Sequence, residues 1–451
     1  MIAVAFVVCL LFGAIVLALS LRHMTGLERK LMLAGFAAHI GASVALVLYH
    51  EVSPGDMTIY RFYGVQIARV LDIDFVRYAP EVLKLALHIE PDLPFPVLLE
   101  GTASGTMSAY AGILIFVLGD TALGCCVMVS MFAYAGMMSM YRSIRGSLDD
   151  VERIPVLSAL LFVPSATFWT SGIVKEAFLM GFLGLLVGAV HDVLARRRLL
   201  AIPAGVVGAV GAAMTKPYVL FPLVIATGGY LFALRSRRKL SFVQKLAAIV
   251  VAVVGLIGVS RLFPQFGLDN LGEAIATQQR SATLISEAAG SSVDIGDGDV
   301  QTLGGQLRYL PLGLVNALFR PALFDIRNAM SAVAALEMTL IIGSLIALVR
   351  RHRVRRIVAE IRGRAPLMFA ALFVVSFGAA VGVSTTNLGT LSRYRVPMMP
   401  FYMGGVAILR ARLSQRARSR KVALAAKTAG PLTREEKLRI ARRGTATRAR
   451  A

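Results

Sequence analysis

The sequence predicts an all-α integral membrane protein: a bundle of about 11 transmembrane helices with juxtamembrane helices on its extracytoplasmic side. Three observations carry that prediction. Of 451 residues, 57% are hydrophobic and only 16% charged, giving a mean hydropathy of +0.70. A soluble chain is closer to half apolar and a quarter charged. Runs of roughly 18 or more apolar residues recur along the chain, each long enough to cross a hydrocarbon core of about 30 Å as a helix. Between those runs, lysine and arginine crowd into alternate loops. Together these features exclude a soluble enzyme, a nucleic-acid binder and a disordered scaffold.

The first run, 2–21, lacks the basic start of a signal peptide and reads as a retained span. Further spans are expected at 31–50, 109–140, 154–168, 173–194, 200–214, 217–234, 243–262, 331–349, 366–384 and 396–410. The candidates 154–168, 200–214 and 396–410 are short, and 109–140 is long enough to contain a break near Gly119-Asp120. Cys9, Cys125 and Cys126 lie within apolar runs and have neither disulfide nor zinc spacing. The spacings Gly184-x-x-x-Gly188 and Gly205/Gly208/Gly211 permit close helix packing.

One set of loops holds Arg22/Arg29/Lys30, Arg142/Arg145/Arg153, Arg196–Arg198, Arg235–Lys245, Arg350–Arg364 and the tail from Arg410. Those loops contain most of the 48 lysines and arginines, and the opposite set most of the 26 acidic residues. By the positive-inside rule the N-terminus faces out and the C-terminus in, as expected of a multi-pass protein of the bacterial inner membrane. The net charge of +22 is then an orientation signal and a contact for membrane lipids, without nucleic acid.

The chain divides into a transmembrane domain, 1–410, and a basic cytoplasmic tail, 411–451. Two long segments, 51–108 and 263–330, are placed outside. The first contains the amphipathic stretches Tyr60–Leu71 and Pro80–Leu87 and reads as helices on the outer leaflet. The second contains the Gly/Asp/Ser-rich stretch Gly290–Gly305, expected to form a flexible lid or loop. The tail beyond Arg412 is expected to be dispensable for chemistry on the outer side.

Ionisable residues at span ends are costly to bury and are the first functional candidates. Asp56 and Tyr60 lie four apart, so they share a helix face. Asp56 reads either as a helix N-cap or as a base at the membrane surface. In Pro164–Glu176, Trp169 suits an interfacial anchor, while the adjacent Lys175 and Glu176 suit an anionic headgroup or phosphate. Arg320, Asp325 and Arg327 read as a phosphate contact or a local salt-bridge cluster, and Glu337 is expected to face the interior or a watery cavity. Arg393 and Arg395 run against the charge bias; they are either phosphate-binding forks or snorkelling side chains at a helix end. Lys216 adds one more outward cation.

Three of these segments carry a resemblance: Asp56-x-x-x-Tyr60, Pro-Ser-x-x-Phe-Trp-x-Ser-Gly-x-x-Lys-Glu over 164–176, and Arg-Tyr-Arg-x-Pro-x-x-Pro over 393–400. As a set they resemble bacterial polytopic GT-C-type glycosyltransferases and the related exopolysaccharide and O-antigen polymerases. Leu310–Asp325 is similar in style to that group. The resemblance implies transfer of a sugar or repeat unit from a polyprenyl-phosphate- or pyrophosphate-linked donor to a glycan or lipid acceptor outside the cytoplasm. It makes Asp56 the catalytic base and Arg393 and Arg395, with Lys175 or Lys216, the phosphate-binding groups. No cofactor is assigned; a divalent metal remains open, although no acidic pair stands at Asp56. The alternatives are a transporter or flippase for a lipid-linked or anionic substrate, and a non-catalytic subunit of an envelope-assembly complex.

Overall fold

The computed structural model describes residues 2–235, 303–385 and 388–428, and every regular element among them is helical. The expected span 243–262, Asn387, most of the 290–305 stretch and the tail beyond 428 lie outside the described residues. Among the described residues, seven helices are long and apolar enough to cross a membrane: Ala3–Leu21, Gly26–Val52, Ala122–Ser147, Lys175–Arg196, Pro217–Leu234, Ala329–Arg351 and Ala365–Ser384. This is a multi-pass, all-helical membrane protein.

The chain begins with α1 (Ile2–Leu21) and α2 (Gly26–Val52), followed by the amphipathic α3 (Asp56–Ile73) and α4 (Phe75–Ala86). The expected span 109–140 is two helices, α5 (Ala103–Leu118) and α6 (Ala122–Ile144). Gly119, at φ +74°, ends α5 in a conformation open mainly to glycine. Ser104 at the start of α5 receives a hydrogen bond from Lys175 at 2.9 Å, and Asp120 just past its end pairs with Arg61 of α3 at 2.8 Å. The start of α5 therefore lies beside Lys175 and its end beside Arg61 of α3, and only the α6 part of the expected span is long enough to cross.

The expected span 154–168 is also broken, into α7 (Asp150–Leu161) and α8 (Pro164–Trp169). Proline lacks the N–H that would continue the helix through Phe162 and Val163. Next come α9 (Lys175–Arg196), α10 (Ile202–Thr215) and α11 (Leu220–Arg235). Pro217 restricts the residue before it and ends α10, leaving Lys216 extended at φ −151° and ψ 79°. Beyond the undescribed segment lie α12 (Leu303–Phe319), α13 (Ala329–Arg351), α14 (Val354–Gly363), α15 (Ala365–Ser384), the short α16 (Leu388–Tyr394) and α17 (Met399–Thr428). The last of these continues unbroken past position 411.

Packing depends on small residues where backbones meet. A Cβ on Gly184 would lie 2.8 Å from the Met137 nitrogen, so α9 and α6 touch backbone to backbone. Elsewhere the core is aromatic: Phe369, Phe373 and Phe377 stack in sequence along α15, with Tyr218 against Phe377.

Ion pairs mark the two ends of the bundle. At the basic end Arg412 reaches Asp149 at 2.6 Å, Glu152 at 3.0 Å and Glu360 at 2.9 Å, and Arg364 also pairs with Glu152. This ties α7, α14, α15 and α17 together. The candidate site lies at the other end, about 33 Å away along the 22 residues of α9.

Candidate functional site

Four sequence-distant elements deliver charges to one place. Asp56 is the first residue of α3; Gly55 occupies the cap position and provides no side-chain cap. The Asp56 carboxylate accepts instead from Arg393, whose Nη2 lies 2.8 Å from Oδ2. The Nε of the same guanidinium donates to Glu176 Oε2 at 3.0 Å. The other oxygen of Glu176 accepts from Lys216 Nζ at 2.7 Å. The result is an alternating chain, Asp56–Arg393–Glu176–Lys216, built from α3, α16, α9 and the extended residue after α10.

Burial is graded along this chain. Glu176 is fully buried and Lys216 nearly so, whereas the Asp56 side chain is 46% exposed. The carboxylate at the open end is therefore the one an incoming molecule meets. Aromatic faces support the cations. Arg393 lies over Trp169 with its guanidinium carbon 5.3 Å from the ring centroid, and Lys216 lies 4.3 Å from the Tyr394 centroid. Burial disfavours the charge of Arg393, but the carboxylates of Glu176 and Asp56 outweigh it and hold the guanidinium firmly protonated.

Lys175 stands beside this chain. Its Nζ donates to Ser104 Oγ at 2.9 Å and lies 5.9 Å from the centroid of the Tyr60 ring. Among the described residues it pairs with no carboxylate. Tyr60 shares the inner face of α3 with Asp56, as the four-residue spacing requires, and burial raises its hydroxyl well above the ordinary phenol range. Counting Lys175, Lys216 and Arg393 against Asp56 and Glu176, the site carries one positive charge in excess, which suits an anion.

Two of the expected substrate-binding residues lie elsewhere. Arg320 closes a local turn, donating to both oxygens of Asp325 at 3.1 and 2.6 Å, while the Ala322 amide donates to the same carboxylate. The five-residue separation lets the carboxylate take the whole fork. This is the local salt-bridge reading of that segment. Arg395 is two positions from Arg393, and residues two apart on a helical turn face different ways. It points into the interior with no exposed surface, donating to the Arg320 carbonyl; its Nε and Nη2 have no partner among the described residues. Burial pushes it down to about 10, against the pull of Glu337. Glu337 is itself buried and accepts from the Ser165 amide.

Sequence reasoning assigned no role to Ser104 or Tyr394 and read Trp169 as an interfacial anchor. Tyr394 and Trp169 lie inside segments singled out for their charges, so their neighbours were the available signal; Ser104 had none. Among the described residues, no group of three His, Cys, Asp or Glu side chains is placed to hold a metal ion. The chain matches no protein-family model, no curated protein and no solved structure.

Proposed function

We propose that the protein is a GT-C-like glycosyltransferase of the bacterial inner membrane. In this reading it moves a sugar or repeat unit from a polyprenyl-phosphate- or pyrophosphate-linked donor to a glycan or lipid acceptor on the extracytoplasmic side. The observation that carries the reading is the Asp56–Arg393–Glu176–Lys216 chain. It joins the three segments that resemble such enzymes, and Asp56 and Arg393 meet across 337 residues of sequence. The topology that accompanies this proposal has about 11 crossings, with the N-terminus out and the C-terminus in.

The chemistry stems from the arrangement. The half-exposed Asp56 carboxylate takes the proton of the acceptor hydroxyl as its oxygen bonds to the anomeric carbon. The bond from that carbon to the lipid phosphate breaks, and the phosphate departs with its electron pair. Lys175, which has no carboxylate partner among the described residues, is the cation available to neutralise the departing charge, with Arg393 and Lys216 behind it. A single displacement inverts the anomeric centre and requires one base and no carboxylate nucleophile.

The test is the surface-glycan profile of a deletion strain complemented with wild type or Asp56→Asn at matched membrane levels. Asparagine keeps the size and polarity of the side chain but takes no proton. Loss of the glycan with Asn supports the transferase; full restoration overturns Asp56 as the base.

One observation favours the transporter or flippase reading: Arg395 and Glu337 are buried charged groups with polar atoms that have no partner among the described residues. In that case Glu337→Gln abolishes function while Asp56→Asn preserves it.

A further inference from the structure

A second cationic site lies at the basic end, far from Asp56. The C-terminal ends of α1, α6 and α9 surround a cavity of about 510 Å³. Arg22, Arg142, Arg145, Arg196 and Arg198 line it, with Asp192 the one carboxylate on its wall. Two of these arginines are neutralised, Arg145 by Glu28 at 2.7 Å and Arg196 by Asp192 at 3.2 Å. Arg22, Arg142 and Arg198 have no ion pair or side-chain hydrogen bond among the described residues.

The backbone is bent to bring these groups together. His23 and Arg197 adopt left-handed conformations, at φ +64° and +57°, immediately beside Arg22 and Arg198. At Arg197 the chain folds back so that the Arg198 amide donates to the Asp192 carbonyl at 3.0 Å. The rest of the wall is mixed: Val16, Leu19, Met138 and Leu185 make an apolar flank, and Ser20, His23, Ser139 and Ser143 add neutral polar groups. Leu19 is 54% exposed and continues the outward row of Leu11 and Ile15 along α1. That row is four residues apart at each step, one face of the helix. The cavity thus has a cationic floor and a side that opens along an apolar, outward-facing helix.

We propose that this cavity binds the phosphate headgroup of an anionic membrane lipid, with the lipid chains lying along the Leu11–Ile15–Leu19 face of α1. Basic pockets between transmembrane helices take such headgroups, and guanidinium forks match phosphate oxygens. A soluble phosphate would use the arginines alone and leave the apolar flank without a partner. The site is independent of the transfer reaction proposed for the opposite end.

The experiment uses the full-length protein, purified in detergent and stripped of lipid. Native mass spectrometry then measures retention of added phosphatidylglycerol against phosphatidylcholine. We expect preferential retention of phosphatidylglycerol. The Arg22→Gln/Arg198→Gln variant should weaken it by about 30-fold, two headgroup-facing cations being removed. Both positions are exposed, so folding is not at stake. Ser139→Trp, which fills the cavity and leaves every charge in place, should weaken retention as well. Arg350→Gln/Arg355→Gln, exposed and outside the cavity, should leave retention unchanged. Equal retention of phosphatidylglycerol by wild type and both cavity variants overturns the proposal. Displacement of the lipid by millimolar inorganic phosphate also overturns it, making this a soluble-anion site.

Discussion

Arg393 stands between two carboxylates, and a lysine in its place can serve only one. Arg393→Lys keeps the charge and removes the bridge. If Arg393 positions Asp56 and stabilises the departing phosphate, the variant should lose about 10²- to 10³-fold in transfer rate with its membrane level unchanged. Incorporation of labelled sugar in isolated membranes reads that loss. Glu176 belongs to stability as much as to chemistry, because it is fully buried between Arg393 and Lys216. Glu176→Gln leaves buried cations uncompensated and should cost about 3–5 kcal/mol. Adding Lys216→Met should restore part of that loss, a coupling that unfolding of the purified single and double variants measures. Individual residues were partly legible in the sequence. Asp56, Lys175, Glu176 and Arg393 stood out as charges on the side that the loop bias leaves poor in cations. Their partnerships were not legible, since nothing local in a chain announces a contact 337 residues away. Arg395 misled for a related reason: it has the same chemistry as Arg393, and only the direction of one helical turn separates a site residue from an interior one.

At the scale of helices, the two most informative breaks came from single residues. Gly119 and Pro164 punctuate apolar stretches that composition alone presents as continuous. The break near Gly119 could be read from the Gly-Asp step. Its effect on topology could not, because an apolar run of 16 residues looks the same whether it crosses a bilayer or lies against α3. Glycine spacing was informative on α9, where Gly184 meets the α6 backbone. Gly184→Ala should force the two helices apart and cost about 1–3 kcal/mol. Gly343, within α13, has nothing among the described residues within 4 Å of an added Cβ. Gly343→Ala should therefore be neutral, or stabilising by up to about 1 kcal/mol through its higher helix propensity. Thermal unfolding of the two variants in the same detergent separates these outcomes.

The whole molecule is polarised. One end gathers an alternating chain of buried charges with an open carboxylate, and the other a network in which Arg412 alone contacts Asp149, Glu152 and Glu360. That network sets where the tail ceases to matter. Truncation after Lys421 should leave insertion and activity intact. Arg412→Gln removes the bridge between two buried glutamates, leaving Glu152 to Arg364 and Glu360 to Arg416, and should lower the yield of monodisperse protein, as size-exclusion chromatography of detergent extracts would record. The sequence marked both ends through their charge asymmetry. It did not mark the boundary between bundle and tail, because α17 crosses that position without a break in helical character.

The length of α9 has a consequence for how this chain can change over generations. It presents Lys175 and Glu176 at its first turn and Arg196 at its last. A helix rotates about 100° per residue, so one residue inserted at its middle would swing one terminus by that angle against the other. Either the acidic partner of Lys216 or the rim of the lipid cavity would then face the wrong neighbour. Phase returns only after about seven added residues, which lengthen the rod by about 10 Å, a third of a bilayer's core. Loops elsewhere are free to drift in size, whereas α9 acts as a gauge whose residue count descendants of this chain would inherit unchanged.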